Sequence, residues 1–246
     1  MESRNFQLDT EWNMLHYPEK PSGFGILIIG DDRHYVNEYG SFWTQNEGKA
    51  ALIKTLKEEG YTIFYSNLYG KNWGNEKAVR LARRLYEHII RTEIINGKIH
   101  LIAEGMGALV ALKLLAEMGP MHIRTCIFIN PILSIKDYIE LEKEHKFFYK
   151  KLLKELAQAY EIDIKQIEAE IDTFKESFDS TVNIPIKIIH FMTGGKSYKE
   201  AKQVRNQTTE RKESKSPIII CYLLPEKKQG IGIQIVHFMK CYETIL

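Results

Sequence analysis

At 246 residues the chain can bury one large core or two small ones, and single α/β domains often reach this size. With 44% hydrophobic, 11% aromatic and 27% charged residues it has the composition of an ordinary soluble globular protein. Lys plus Arg number 34 against 32 Asp plus Glu, and a net charge of +2 is too balanced to imply a general polyanion partner.

Residues 4–17 alternate imperfectly (Phe6, Leu8, then Trp12, Met14, Leu15, Tyr17) and suit two short strands at a sheet edge, followed by a turn at Pro18, Pro21 and Gly23. Phe24 to Gly30 is a continuous apolar run, as expected of a strand buried on both faces. Thr44 to Glu59 reads as a helix stopped by Gly60, and Tyr61 to Asn67 as the next strand. Glu76 to Ile95 is helical, with Leu81, Leu85 and Ile89 at four-residue spacing. Ile99 to Ala103 is a short strand, Gly107 to Met118 an apolar helix closed by Gly119-Pro120, and Arg124 to Asn130 another strand. This rhythm implies parallel strands joined by right-handed helical crossovers.

The interval 134–181 breaks the rhythm. It is charged and helical, with Ile164, Ile167, Ile171, Phe174 and Phe178 marking one face, and reads as a helical cap over the strand ends. The rhythm resumes with a strand from Ile184 to Phe191, a polar segment, a strand from Ile218 to Leu224, and a final helix from about 232 to 245. Residues 1–133 and 182–246 would then form the core and 134–181 the insertion. Of the three cysteines, Cys126 and Cys221 lie in apolar runs, which suggests buried thiols in a reducing compartment. The N-terminus lacks the form of a signal peptide and no apolar run approaches the ~20 residues of a membrane span, so a cytoplasmic location is expected.

The informative junction is Ile99-His100-Leu101-Ile102-Ala103-Glu104-Gly105-Met106-Gly107-Ala108, where a buried strand turns through small residues directly into an apolar helix. That is the context of the nucleophile elbow G-x-S-x-G, in which a sharp turn lifts a Ser hydroxyl above the sheet. Here the chain resembles the α/β-hydrolase family, particularly capped bacterial esterase and lysophospholipase-like members. Further echoes are Ile28-Ile29-Gly30-Asp31 at the family's oxyanion loop, Asn67-Leu68-Tyr69-Gly70, and Ile184 to His190 leading to the family's acid. The resemblance implies an α/β fold: a mostly parallel, doubly wound sheet with a helical cap inserted after the sixth family strand.

Each catalytic position departs from the family pattern. The nucleophile position falls on Gly105, the acid position on Gly195 and the base position on Gln229. Acyl transfer by this route needs a nucleophile, a base and an acid that orients the base, so losing all three argues against it. His237 lies within the final helix, too late for the base. The expectation is therefore a non-catalytic homologue that binds a small ligand or a protein partner. The alternatives are an esterase or thioesterase using Cys126, Ser134 or Ser197, and a purely structural scaffold.

Gly30, Asp31, Glu104 and Met106 are the candidate ligand-binding residues. The backbone N–H groups of Met106, at a helix start, and of Asp31 are placed to receive a carboxylate or phosphate oxygen. The expected partners are thus a small acidic or acyl ligand in the cleft and a protein reached through the cap; no cofactor or metal is implied, and nucleic acid is not expected. Glu104 reads as a capping or solvated carboxylate, or as a base acting through water, and Asp137 and Ser134 as helix-capping residues. Thr193-Gly194-Gly195-Lys196-Ser197 only partly matches a phosphate-binding loop. Lys196, Lys199, Lys202 and Arg205 read as the solvated face of a connecting helix. Phe147-Phe148-Tyr149 either lines an acyl pocket or packs the cap onto the core.

Overall fold

The computed structural model describes residues 2–170, 183–209 and 217–243. Its centre is an eight-stranded sheet. The strands are β1 (Ser3–Leu8), β2 (Glu11–His16), β3 (Gly25–Ile29), β4 (Thr62–Ser66), β5 (Ile99–Glu104), β6 (Ile123–Ile129), β7 (Ile186–Phe191) and β8 (Ile218–Leu223). They lie in the order β1-β2-β4-β3-β5-β6-β7-β8. β1 and β2 form an antiparallel hairpin, β2 meets β4 antiparallel, and every pairing from β4 to β8 is parallel. The predicted edge hairpin and the six apolar strands are thus all present.

The predicted helix over 44–59 is two: α1 (Phe42–Gln45) and α2 (Glu47–Glu58). Two side chains mark the division. Ser41 caps α1 by accepting the Thr44 N–H, and Asn46 caps α2 by accepting the Lys49 N–H. α3 spans Glu76–Thr92 and α4 Gly107–His122. The stop predicted at Gly119 is visible as a break, since Gly119 sits at φ +59 and only a last turn follows it.

Period-two alternation sorts the strand side chains onto two covered faces. Leu27, Leu101, Ala103 and Phe128 pack with α3 and α4, whereas Ile26, Ile28, Ile102 and Ile127 pack beneath α2 and the C-terminal helix α9 (Ile231–Lys240). Between β6 and β7 the chain forms α5 (Ile135–Glu142), α6 (Lys146–Tyr160) and α7 (Ile164–Glu170). Ile139, Leu152, Leu156 and Ile167 of these helices form a third cluster with Trp73, Met106 and Leu109 of the core. Ile171, Phe174 and Phe178 of the predicted helical face lie outside the described residues.

The polar segment between β7 and β8 contains a 15-residue helix, α8 (Gly195–Thr209). The basic stripe expected on its solvated face is partly engaged, because Lys196 pairs with Glu142 and Lys199 with Glu144 of the insertion. Cys126 is buried as expected, but Cys221 is half-buried, because β8 is an edge strand with one neighbour. Among the described residues no helix is long and apolar enough to cross a membrane.

Candidate functional site

The site begins where β5 stops. Glu104 ends the strand, Gly105 turns the backbone at φ +51, and α4 starts at Gly107. Strand and helix meet so closely that a Cβ on Gly107 would stand 2.5 Å from the carbonyl oxygen of Gly30 and 2.6 Å from that of Ile29. Real Cβ atoms do not approach backbone that closely, so this flank of the turn must be glycine. Gly105 is the apex, and its φ lies in the left-handed region that side-chain-bearing residues occupy only under strain.

What stands above the apex is a carboxylate. Asp31, from the loop after β3, accepts the backbone N–H of Met106 at 2.9 Å. A Cβ added to Gly105 would fall 2.1 Å from Asp31 Oδ1. Asp31 therefore fills the space a nucleophile side chain would enter, and it uses the amide that an oxyanion would use. Burial lifts its pKa to about 6; hydrogen bonds from the Met106 and Asp32 N–H groups pull it down, and the charges of Glu104 and Asp32 add to the rise. The group is ionised at neutral pH, yet it is held in a place that favours its neutral form.

This corrects the expected anion receptor. Met106 N–H is already engaged from within, and the Met106 side chain is buried with its sulfur accepting the Trp73 N–H at 3.3 Å. Glu104, proposed as a capping group or water-linked base, is ion-paired to Lys49 at 2.5 Å. Gly30 is packed by His34, whose ring Cγ would lie 2.2 Å from a Cβ there. Of the four residues Asp31 lines the two cavities beside the elbow and the other three do not.

Two small cavities meet at Asp31. One, of about 200 Å³, is walled by Gly105, Asn130, Ser134, Asp137, Tyr138, Glu200 and Gln207; the other, of about 150 Å³, by Asp32, Trp73, Tyr138, Glu142, Phe148 and Lys151, among others. Burial raises the pKa of Glu200, and the charges of Glu142 and Asp31 add to the effect against that of Lys196. The charged side chains in the walls are mostly acidic, with Lys151 the exception among the described residues. A larger cavity, of about 630 Å³, runs between the β1–β2 hairpin and α2 past His16, Trp43 and Ile53, but it does not include Gly105 or Asp31.

The positions expected for the acid and the base lie away from the two cavities. Gly195 is the first residue of α8, Gln229 is exposed in a short 3-10 turn (Pro225–Gly230), and neither lines the two cavities. Among the described residues no histidine lines either cavity. His34 is the one packed behind Gly30, and it is spoken for: its Nε2 lies 3.0 Å from the Ser66 carbonyl oxygen, and burial lowers its pKa to about 4. His237 is exposed on α9.

The alternative nucleophiles are placed for other work. Cys126 is inside β6, and burial pushes its thiol well up, away from the reactive thiolate. Ser134 caps α5 by accepting the Asp137 N–H at 3.2 Å, as its capping role predicted. Ser197 accepts the N–H groups of Thr193 (2.9 Å) and Gly194 (3.1 Å), which closes the glycine turn on itself and leaves no open phosphate cradle. Asp137 accepts from the Gln207 side chain.

Sequence reasoning missed the wall contributed by α8. Glu200, Gln203, Val204 and Gln207 line the larger of the two cavities at positions i, i+3, i+4 and i+7, one stripe of that helix. The lysine stripe beside it was the more conspicuous pattern, and only its first member, Lys196, reaches the walls, through Glu142 and Glu200.

The sheet order, the crossovers and the glycine turn define an α/β-hydrolase fold. The chain is similar to Est1E from Butyrivibrio proteoclasticus, with a TM-score of 0.67 at 13% identity over 98% of this chain and 99% of that one. It is also similar to an inhibited esterase B from Lactobacillus rhamnosis (TM-score 0.67, 11% identity, 98% and 87% covered) and a proline iminopeptidase from Mycobacterium smegmatis (TM-score 0.59, 10% identity, 98% of each chain). No protein-family model matches the sequence, and no curated protein matches it. The likeness is one of fold.

Proposed function

We propose that this chain is a non-catalytic α/β-hydrolase homologue that binds a small guest in the cleft between the elbow and the helical cap α5–α7. The observation that carries the reading is the Asp31 carboxylate on the Met106 N–H, 2.1 Å from where a Gly105 side chain would begin. An acyl-transfer site needs a nucleophile there and an imidazole beside it. Cavities of about 200 and 150 Å³ are below the usual range for drug-sized ligands, so the guest is small. The acidic or acyl guest expected from the free amides would meet Asp31 and the acidic walls, which favour a neutral polar or amine-bearing guest instead.

A second reading rests on Asp31 itself. Its carboxylate stands directly over the elbow, and a pKa of about 6 suits a general base acting on water. A panel of esters and thioesters, together with a fluorophosphonate probe, separates the two. The first reading expects no turnover and no labelling; turnover that Asp31→Asn abolishes supports the second. A thermal-shift screen of small amines, polar neutral compounds and carboxylates then tests binding, since a guest held only by the native state raises the melting temperature. No shift with any of them would leave a structural protein.

A further inference from the structure

Helix α6 has two working faces. Leu152, Leu153 and Leu156 are buried in the cluster under the insertion, with Tyr149 packed against it. The opposite face carries Lys146, Phe147, Lys150, Lys151 and Lys154, all exposed. At 100° per residue Phe147, Lys150, Lys151 and Lys154 fall at i, i+3, i+4 and i+7, so the ring stands in the middle of the lysine stripe. Phe147 is 75% exposed and Phe148 54%, with their rings packed edge to face at 5.5 Å. The cluster expected to line an acyl pocket or pin the cap does neither at Phe147, which points into solvent.

The charge on this face is largely uncompensated. Lys151 has a long contact of 3.7 Å to Glu155, whose side chain is only 15% exposed, and Glu155 is also held by Lys71. Lys146, Lys150 and Lys154 have no ion pair among the described residues. A soluble surface gains nothing from two clustered phenylalanines, and an aromatic pair ringed by exposed lysines is the pattern of a segment that lies in a bilayer interface.

We infer that the outer face of α6 docks the protein on the surface of an anionic phospholipid bilayer, with Phe147 and Phe148 entering the interface and Lys146, Lys150, Lys151 and Lys154 facing the headgroups. The occupant follows from charge complementarity: each lysine near an anionic leaflet gains about fivefold in partitioning, and each ring adds its apolar burial. An acidic protein would match the lysines but not the protruding rings. Phe148 and Lys151 also wall the cavity beside Asp31, so a bilayer held on this face meets the mouth of the cleft. The inference does not depend on whether the cleft is catalytic.

Sedimentation with vesicles tests it directly. The full chain is mixed with vesicles of phosphatidylcholine alone, or of phosphatidylcholine with about a third phosphatidylserine, at low and high salt. Binding is expected only to the anionic vesicles and should weaken as salt screens the charges. Lys150→Ala/Lys154→Ala should lower the partition coefficient by about 25-fold and Phe147→Ala by roughly tenfold, with melting temperatures unchanged because all three side chains are exposed. Equal binding to both vesicle types, no binding to either, or anionic binding indifferent to these substitutions would overturn the inference. So would undiminished vesicle binding by Phe147→Ala together with equal competition by polyglutamate, which would point to an acidic protein instead.

Discussion

Strand β5 carries a polar site at each end, and the two are opposites. At its start His100 lies with Nδ1 2.8 Å from the Thr125 hydroxyl and Nε2 3.2 Å from Glu243, an acid, an imidazole and a hydroxyl in sequence. At its end Gly105 occupies the elbow under the Asp31 carboxylate, and among the described residues no imidazole lines the cavity there. The first site has the groups of a catalytic triad without the place, for His100 and Thr125 are both 0% exposed. The second has the place without an imidazole among the described residues that line it. Composition alone would choose the wrong end; access and backbone geometry decide.

The buried trio is a structural fastening. Burial lowers the His100 pKa despite Glu243, so the imidazole is neutral. Burial pushes Glu243 up, but the neighbouring His100 ring, the hydrogen bond from Tyr61 and the Lys240 charge prevail and its pKa is lowered. An ionised Glu243 thus accepts from the Tyr61 hydroxyl and stands at the neutral ring, tying the end of the chain after α9 to the sheet.

The comparison can be broken in several ways. The largest expected effect is on acid stability, because the imidazoles sit in the packed body rather than over the elbow. Burial lowers His16, His34 and His190 to about 4, so their contribution is full above pH 6.5, where the unfolded chain is also neutral, and is lost as pH falls toward 4. Melting followed across that window should show a loss on the order of 10 kcal/mol from these three rings; a flat profile would mean that these rings are open to water. Gly107→Ala should cost about 3 kcal/mol, since its methyl group meets backbone rather than a movable side chain. Near-wild-type urea denaturation of that variant would undo the close approach at the elbow.

Glu243→Ala should cost roughly 2 kcal/mol by leaving the Tyr61 hydroxyl without its acceptor and opening space beside the His100 ring, measurable as a lower denaturation midpoint. Gly105→Ser should lose about 1–3 kcal/mol to left-handed strain and to the collision with Asp31. It should also leave p-nitrophenyl ester hydrolysis at background. Appreciable turnover in that single variant would show that a base is within reach after all.

Much of this architecture is legible in the sequence because buried parallel strands are continuous apolar runs and the crossover helices repeat Leu at four-residue steps. Ala103, Gly105 and Gly107 also announce the elbow, since only a tight strand-to-helix turn calls for so many small residues. The filling of the elbow is not legible. Asp31 lies 74 positions from Gly105 along the chain, and nothing in its local pattern says that its carboxylate turns onto the Met106 amide. Likewise Lys49 carries no sign in its own helix that it will meet Glu104. Long-range polar contacts leave no period to read.

The claim on which the rest turns is that Asp31 sits ionised and half-desolvated on the Met106 amide. Carbon-13 NMR titration of its side-chain carboxyl, assigned by loss of the signal in Asp31→Asn, measures this without any substrate. The account predicts a midpoint near pH 6, with the Met106 amide shift moving in step. A midpoint near 4, with the Met106 amide unmoved, would place the carboxylate in open water and leave the elbow vacant.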